Sequence, residues 1–358
     1  MSSRPRCATG ALAAALLLAG CTPGAPPAVD RTLVIAGDAT DVDVVTGVAV
    51  GDDGTALLWT AGPAGRSGVT AVQLPDAGAE AAVTGSVRLT DTRVDLVVIA
   101  GTETLVVGSA GRSPAAGYAV TAVDPATGSV GTGRPVPGFP AEAGDTAAVA
   151  LPGGTVVVAG DRPGGTPFLL LLDPADAGTP ARPVELGALA APGDRVQLRE
   201  LAVSPDGSRI AVAVAVRPDR GPQTTALLVV DAALAPVGGP VTLDPAGTAA
   251  LAVADDGTVY ATGGEEPRLL AVDPRSGAVR EVPTGLGELT ALAVAGDQLV
   301  AVSAGLEVAR LAPADGTVTA TTDLCGDTGS ASGLDTAADG SLVVVANCAG
   351  AGLWVLPA

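Results

Sequence analysis

The chain has 358 residues, 47% apolar and only 2% aromatic, so it can bury a large core but must build it from Ala, Val and Leu. Its 19 basic residues are all Arg and face 38 acidic ones, a net charge of −19 that repels nucleic-acid backbones and anionic lipid headgroups. There is no His and no Lys, and Asn347 is the only Asn, which excludes Ser-His-Asp and Cys-His catalysis, His-ligated zinc and a Lys Schiff base.

Residues 1–20 read as a signal peptide. Arg4 and Arg6 precede an apolar run from Ala8 to Gly20 that is too short to span a bilayer. The run ends in Leu18-Ala19-Gly20-Cys21, which resembles the bacterial lipobox: an aliphatic residue and two small ones ahead of a cysteine. This resemblance to bacterial lipoproteins of the actinobacterial type implies diacylglyceryl transfer to the Cys21 sulfur and cleavage before it. Residues 21–30 are then the lipidated cysteine and a Pro-rich tether, whose nine residues after Cys21 reach about 28 Å at about 3.1 Å each. The expected location is the cell membrane, lipid-anchored on its extracytoplasmic face.

From residue 31 to 358 the chain repeats itself. An apolar strand, a Gly/Asp turn, a second apolar strand, a variable loop and a third strand recur, with a weaker fourth behind them. The turns fall at Asp53-Gly54, Gly101-Thr102, Gly153-Gly154, Asp206-Gly207, Asp256-Gly257, Gly296-Asp297 and Asp339-Gly340. Gly54 and Gly340 are 286 residues apart over six intervals, a period of about 48 that marks propellers or solenoids. The third strand often ends in Asp-Pro followed by Gly, as in Asp124-Pro125 and Asp273-Pro274. There Pro presets φ, Asp bonds its own backbone and Gly takes the positive-φ position.

The Ser204-Pro205-Asp206-Gly207 turn and the Val-Asp-Pro-x-x-Gly turns resemble YVTN and WD40-like bacterial propeller repeats, although the Gly-His and Trp-Asp signatures of true WD40 repeats are missing. The resemblance implies an all-β fold: a seven-bladed β-propeller of four-stranded antiparallel blades. The last copy supplies only three strands, and Arg31–Ala36 is a strand that precedes the first full copy. Placed as the outer strand of the last blade, it brings the total to 28 and closes the ring. Trp59 and Trp354 lie on apolar strands and read as core.

In an exported protein Cys325 and Cys348 form the default disulfide, closing a 24-residue loop worth about 3.5 kcal/mol in the chain-entropy model. Propeller geometry puts both on one face, beside Asn347 and Asp327. It also sends Arg93, Asp95, Asp145, Arg199, Glu200 and Glu288 to the channel mouth, at the starts of innermost strands. These form either a polar funnel for a ligand or cation, or a solvated channel whose carboxylates pair with Arg. The acidic pairs Asp41/Asp43, Asp52/Asp53 and Asp255/Asp256 match no calcium-loop pattern and read as turn chemistry.

The expected function is a membrane-anchored scaffold, non-catalytic, whose propeller binds another envelope protein or a small ligand. The alternative is a metal-dependent, calcium-type lactonase-like hydrolase using channel carboxylates. No cofactor is expected beyond the diacylglyceryl lipid on Cys21, calcium being the one ion left open, and nucleic acid is not an expected partner.

Overall fold

The computed structural model describes residues 30–35 and 44–357, apart from 52, 62–65, 75–81, 101, 111–116, 141–144, 163–165, 177, 180–182, 187–188, 190, 192–193, 244–249, 263–266, 326–329, 338 and 349–350. The leader, Cys21 and all of the tether except Asp30 therefore lie outside the described residues. No helix among the described residues is long and apolar enough to cross a membrane.

The strands form seven antiparallel sheets, so the fold is a seven-bladed β-propeller. After β1 (Asp30–Ile35), blade 1 comprises β2 (Val44–Val50), β3 (Thr55–Ala61), β4 (Arg66–Gln73) and β5 (Ala82–Thr90). Blade 2 comprises β6 (Thr92–Ala100), β7 (Glu103–Ala110), β8 (Tyr118–Asp124) and an outer strand split into β9 (Ser129–Val130) and β10 (Arg134–Pro135). Blade 3 has β11 (Thr146–Ala150), β12 (Val156–Arg162), β13 (Thr166–Leu172) and β14 (Val184–Glu185). Blade 4 has β15 (Arg195–Val203), β16 (Arg209–Arg217), β17 (Thr224–Asp231) and β18 (Val241–Leu243). Blade 5 has β19 (Leu251–Val253), β20 (Val259–Thr262), β21 (Leu269–Asp273) and β22 (Ala278–Val282). Blade 6 has β23 (Leu289–Ala295), β24 (Gln298–Ser303), β25 (Glu307–Leu311) and β26 (Val318–Asp323). Blade 7 has β27 (Ser330–Thr336), β28 (Leu342–Asn347), β29 (Ala351–Leu356) and, outermost, β1.

The described residues thus form 29 strands where 28 were expected. The extra one arises in blade 2, where Gly131 and Gly133 interrupt the outer strand although both halves pair with β8. The starting residue of β1 is Asp30 rather than Arg31, and its partner is β29 as expected.

Burial explains why the middle strands read as unbroken apolar runs. In β16 and β17 nearly every side chain is buried, because a neighbouring blade covers each face of the sheet. The outer strands have one face in solvent, and β22 is exposed at four of its five residues. The apolar clusters sit in the seams: one spans blades 1 to 3, and others join 3 to 4, 4 to 5, 5 to 6, 6 to 7 and 7 to 1. Half of the six aromatic residues meet in one place. Tyr118 stacks on Phe139 at 4.2 Å, and Phe139 meets the edge of Phe168 at 5.6 Å. The two indoles are buried, as expected.

The turns behave as their residues dictate. Asp206 accepts hydrogen bonds from the Ser204 hydroxyl (2.6 Å) and the Ser208 N–H (2.8 Å), and Gly207 takes φ +70°. Asp273 accepts from the Arg275 N–H (2.9 Å) and the Ser276 hydroxyl (2.6 Å). The Asp-Pro turns have a second use. The Arg134 guanidinium, on blade 2, donates to the carbonyls of Pro174 (2.7 Å) and Ala175 (3.0 Å) in the turn of blade 3. Gly85 and Gly238 lie so close to the carbonyls of Pro125 and Pro274 that a Cβ would collide with them. These turns therefore fasten one blade to the next.

The innermost strands touch in the order β2, β6, β11, β15, β19, β23, β27, and β27 returns to β2, so the ring is closed. Besides the apolar cluster and β1, polar and close backbone contacts among the described residues secure that last seam. The Asn347 amide accepts from the Val45 N–H (3.3 Å) and donates to the Val45 carbonyl (3.2 Å), pairing with blade 1 as a strand would. The Asp335 carboxylate accepts from the Val50 N–H (2.8 Å), and Gly333 approaches the Val48 backbone.

Candidate functional site

Two regions near the axis of the ring are candidate sites: the rim where the innermost strands begin, and the channel where they end. The rim shares a device. In five blades the innermost strand carries a β-bulge, at Thr46, Asp95, Arg199, Thr290 and Ser332. A bulge leaves one residue out of the ladder and re-aims its side chain. The Thr46 and Thr290 hydroxyls donate to the carbonyls of Trp59 and Val302 on the adjacent strand, both at 3.3 Å. Ser332 accepts from the Asn347 amide at 2.7 Å.

Asp95 is the centre of the best-formed polar cluster. Its side chain is 3% exposed and meets the Arg93 guanidinium at 3.1 Å. It also accepts from the Thr146 hydroxyl (2.5 Å) and the Tyr118 hydroxyl (3.0 Å), while Arg93 donates to the Thr146 carbonyl (2.9 Å). Burial raises the Asp95 pKa against the opposing effects of Thr146, Arg93 and Tyr118, and burial followed by the Asp95 charge pushes the Tyr118 phenol well above its usual range. The cluster ties blade 2 to blade 3.

The remaining expected rim residues are spread along the circumference. Asp145 accepts from the Gln197 amide (2.8 Å), and its N–H donates to Asp161 (2.8 Å), joining blades 3 and 4. Burial raises the Asp161 pKa, with the Asp145 charge adding to it. Arg199 and Glu288 are exposed. Glu200, next to the bulge, lies on the same face of β15 as Ala202, which packs in the seam with blade 5, and it accepts a long hydrogen bond from the Leu201 N–H (3.4 Å). Burial pushes its pKa up to about 7. Asp327 lies outside the described residues, as do Asp41, Asp43 and Asp52. Asp53 and Asp256 accept backbone N–H bonds from Thr55 and Thr258, the turn chemistry expected of them, whereas Asp255 accepts from the Asp206 N–H in the turn of blade 4 and so links two blades.

Cys325 and Cys348 are joined in a disulfide, with their Cα atoms 6.1 Å apart. It links the chain leaving blade 6 to the end of β28. Residues 347 and 348 together therefore bind blade 7 to both of its neighbours.

Sequence reasoning missed the residue that dominates the other end of the channel. Two overlapping recesses of about 600 and 720 Å³ lie where the innermost strands end, with walls of Val, Leu and Ala and with Asp335 in both. The Asp335 oxygens accept from the Val50 and Thr336 N–H groups at 2.8 Å each. Burial raises its pKa despite those two bonds. Among the described residues no three Cys, Asp or Glu side chains converge as a metal-holding group.

The geometry defines a seven-bladed propeller with a braced upper rim and an apolar lower channel. No protein-family profile matches the sequence, and no curated protein matches it either. Solved structures do match the fold. The chain is similar to the WD40 domain of Neurospora crassa Pan2 at a TM-score of 0.59 and 14% identity, over 88% of this chain and 90% of that one. It is also similar to selenomethionine-substituted virginiamycin B lyase from Staphylococcus aureus at a TM-score of 0.58 and 12% identity, over 92% and 98%.

Proposed function

We propose that the chain is an extracytoplasmic lipoprotein, anchored through Cys21, whose propeller is a non-catalytic binding scaffold. The observation that carries the scaffold reading is the use to which the rim's polar groups are put. Asp95 reaches Thr146 of blade 3 and Asn347 reaches Val45 of blade 1, which holds the upper face as a rigid platform. The cystine beside Asn347 suits an oxidising compartment, in keeping with the leader and lipobox.

The direction of β1 favours the same reading. Asp30 lies opposite Val355 and Ile35 opposite Ala351, so the chain coming from Cys21 joins the ring at its lower face. The upper face, with its bulges and cystine, is then turned away from the anchor and open to another envelope protein. In cells fed labelled palmitate, the wild-type chain is expected to carry label and float with membranes. Cys21→Ser should carry none and be recovered unprocessed; equal labelling of the two would contradict the anchor.

A further inference from the structure

We propose that the lower half of the axial channel binds a small organic cation, an amine with a compact apolar body, whose ammonium group rests on the Asp335 carboxylate. Each of the overlapping recesses is in the size range of small-molecule sites. Their walls come from the ends of the innermost strands and are aliphatic, with Val50, Ala150, Leu151 and Val203 lining both. Among the described residues Asp335 is the one charged residue common to the two.

The chemistry of Asp335 selects the ligand. Among the described residues its hydrogen bonds come from two backbone N–H groups, and no Arg side chain forms an ion pair with it. A carboxylate desolvated without a counter-charge is costly, and a bound cation would relieve that cost. A neutral ligand would leave it in place, and an anion would worsen it. The surroundings act in the same direction. The turns around this mouth carry Asp53, Asp206, Asp256, Asp297 and Asp339, with Arg209 as a basic neighbour. Hydrogen bonds from serine hydroxyls hold the Asp206 and Asp339 pKa values low, so these groups stay charged and draw cations inward.

This inference rests on reading the domain as a binding propeller, but not on the lipid anchor. Calorimetry of the full chain with 1-adamantylamine, 1-adamantanol and 1-adamantanecarboxylate tests it. The amine is expected to bind saturably at one equivalent, at least tenfold more tightly than the alcohol, and the carboxylate not to bind. Asp335→Asn should weaken the amine at least tenfold. Because Asp335 also braces the seam between blades 7 and 1, Ala150→Phe provides a second variant that fills the recess and keeps the acid, and it should abolish binding. No saturable binding to the wild-type chain, equal affinity for amine and alcohol, or full affinity in either variant would overturn the proposal. Flotation of the same preparation with vesicles reports the anchor separately.

Discussion

Removing β1 from the chain is expected to cost about 5 kcal/mol and to make the chain self-associate. Five residue pairs register β1 against β29, and a backbone hydrogen bond is worth about 1 kcal/mol net. That loss alone is comparable with the stability of many domains. The truncation would also bare the whole edge of β29, a template for pairing with another chain. Urea denaturation and size-exclusion chromatography of a chain starting at residue 36 would measure both effects. Val34→Pro in the full-length chain should reproduce part of the loss, since Pro has no N–H and fits poorly within a paired strand. A truncated chain that elutes in the same association state as the full chain, with an unchanged midpoint, would show that the ring closes without this strand.

Replacing Glu200 with Gln is expected to stabilise the protein above neutral pH. Glu200 has a pKa of about 7 when folded, against 4.5 for an ordinary Glu, because burial disfavours its charge. The folded chain therefore holds a proton that the unfolded chain releases. The resulting stability is fully present below pH 4.5 and is lost as pH rises to 7, a change of about 3 kcal/mol. Gln cannot ionise and matches the shape of the neutral acid. Urea titrations at pH 5 and pH 8 should show the wild type losing about 3 kcal/mol more than Glu200→Gln between the two. Parallel losses would mean that the carboxylate is not desolvated.

How much could be read in advance depended on whether a residue's role was local. The Asp-Gly turns make their own bonds, so Asp206-Gly207 and Asp339-Gly340 marked the first hairpins of their blades. The middle strands were legible because both of their faces are covered, which leaves long Val, Ala and Leu runs such as β16. The outer strands were not: β14 is two residues long, and the outer strand of blade 2 is broken at Gly131 and Gly133. Repetition did place Arg93 and Asp95 at the rim. It could not show that Tyr118 and Thr146 would meet them, because those residues arrive from another strand and another blade.

The bulges left no common letter, since Thr46, Asp95, Arg199, Thr290 and Ser332 share only their place in the ladder. Asp335 did have a signal, an acid inside an inner strand with no Arg near it in sequence. Its meaning depends on Val50, which is 285 residues away.

The closure of the ring and the face at which the chain enters it both depend on β1 being the outer strand of blade 7. Amide hydrogen exchange followed by mass spectrometry measures this directly. Peptides covering residues 30–35 are expected to be protected together with those covering β29 and to exchange in the same cooperative step. Exchange of residues 30–35 at the rate of an unstructured peptide, with β29 still protected, would contradict it.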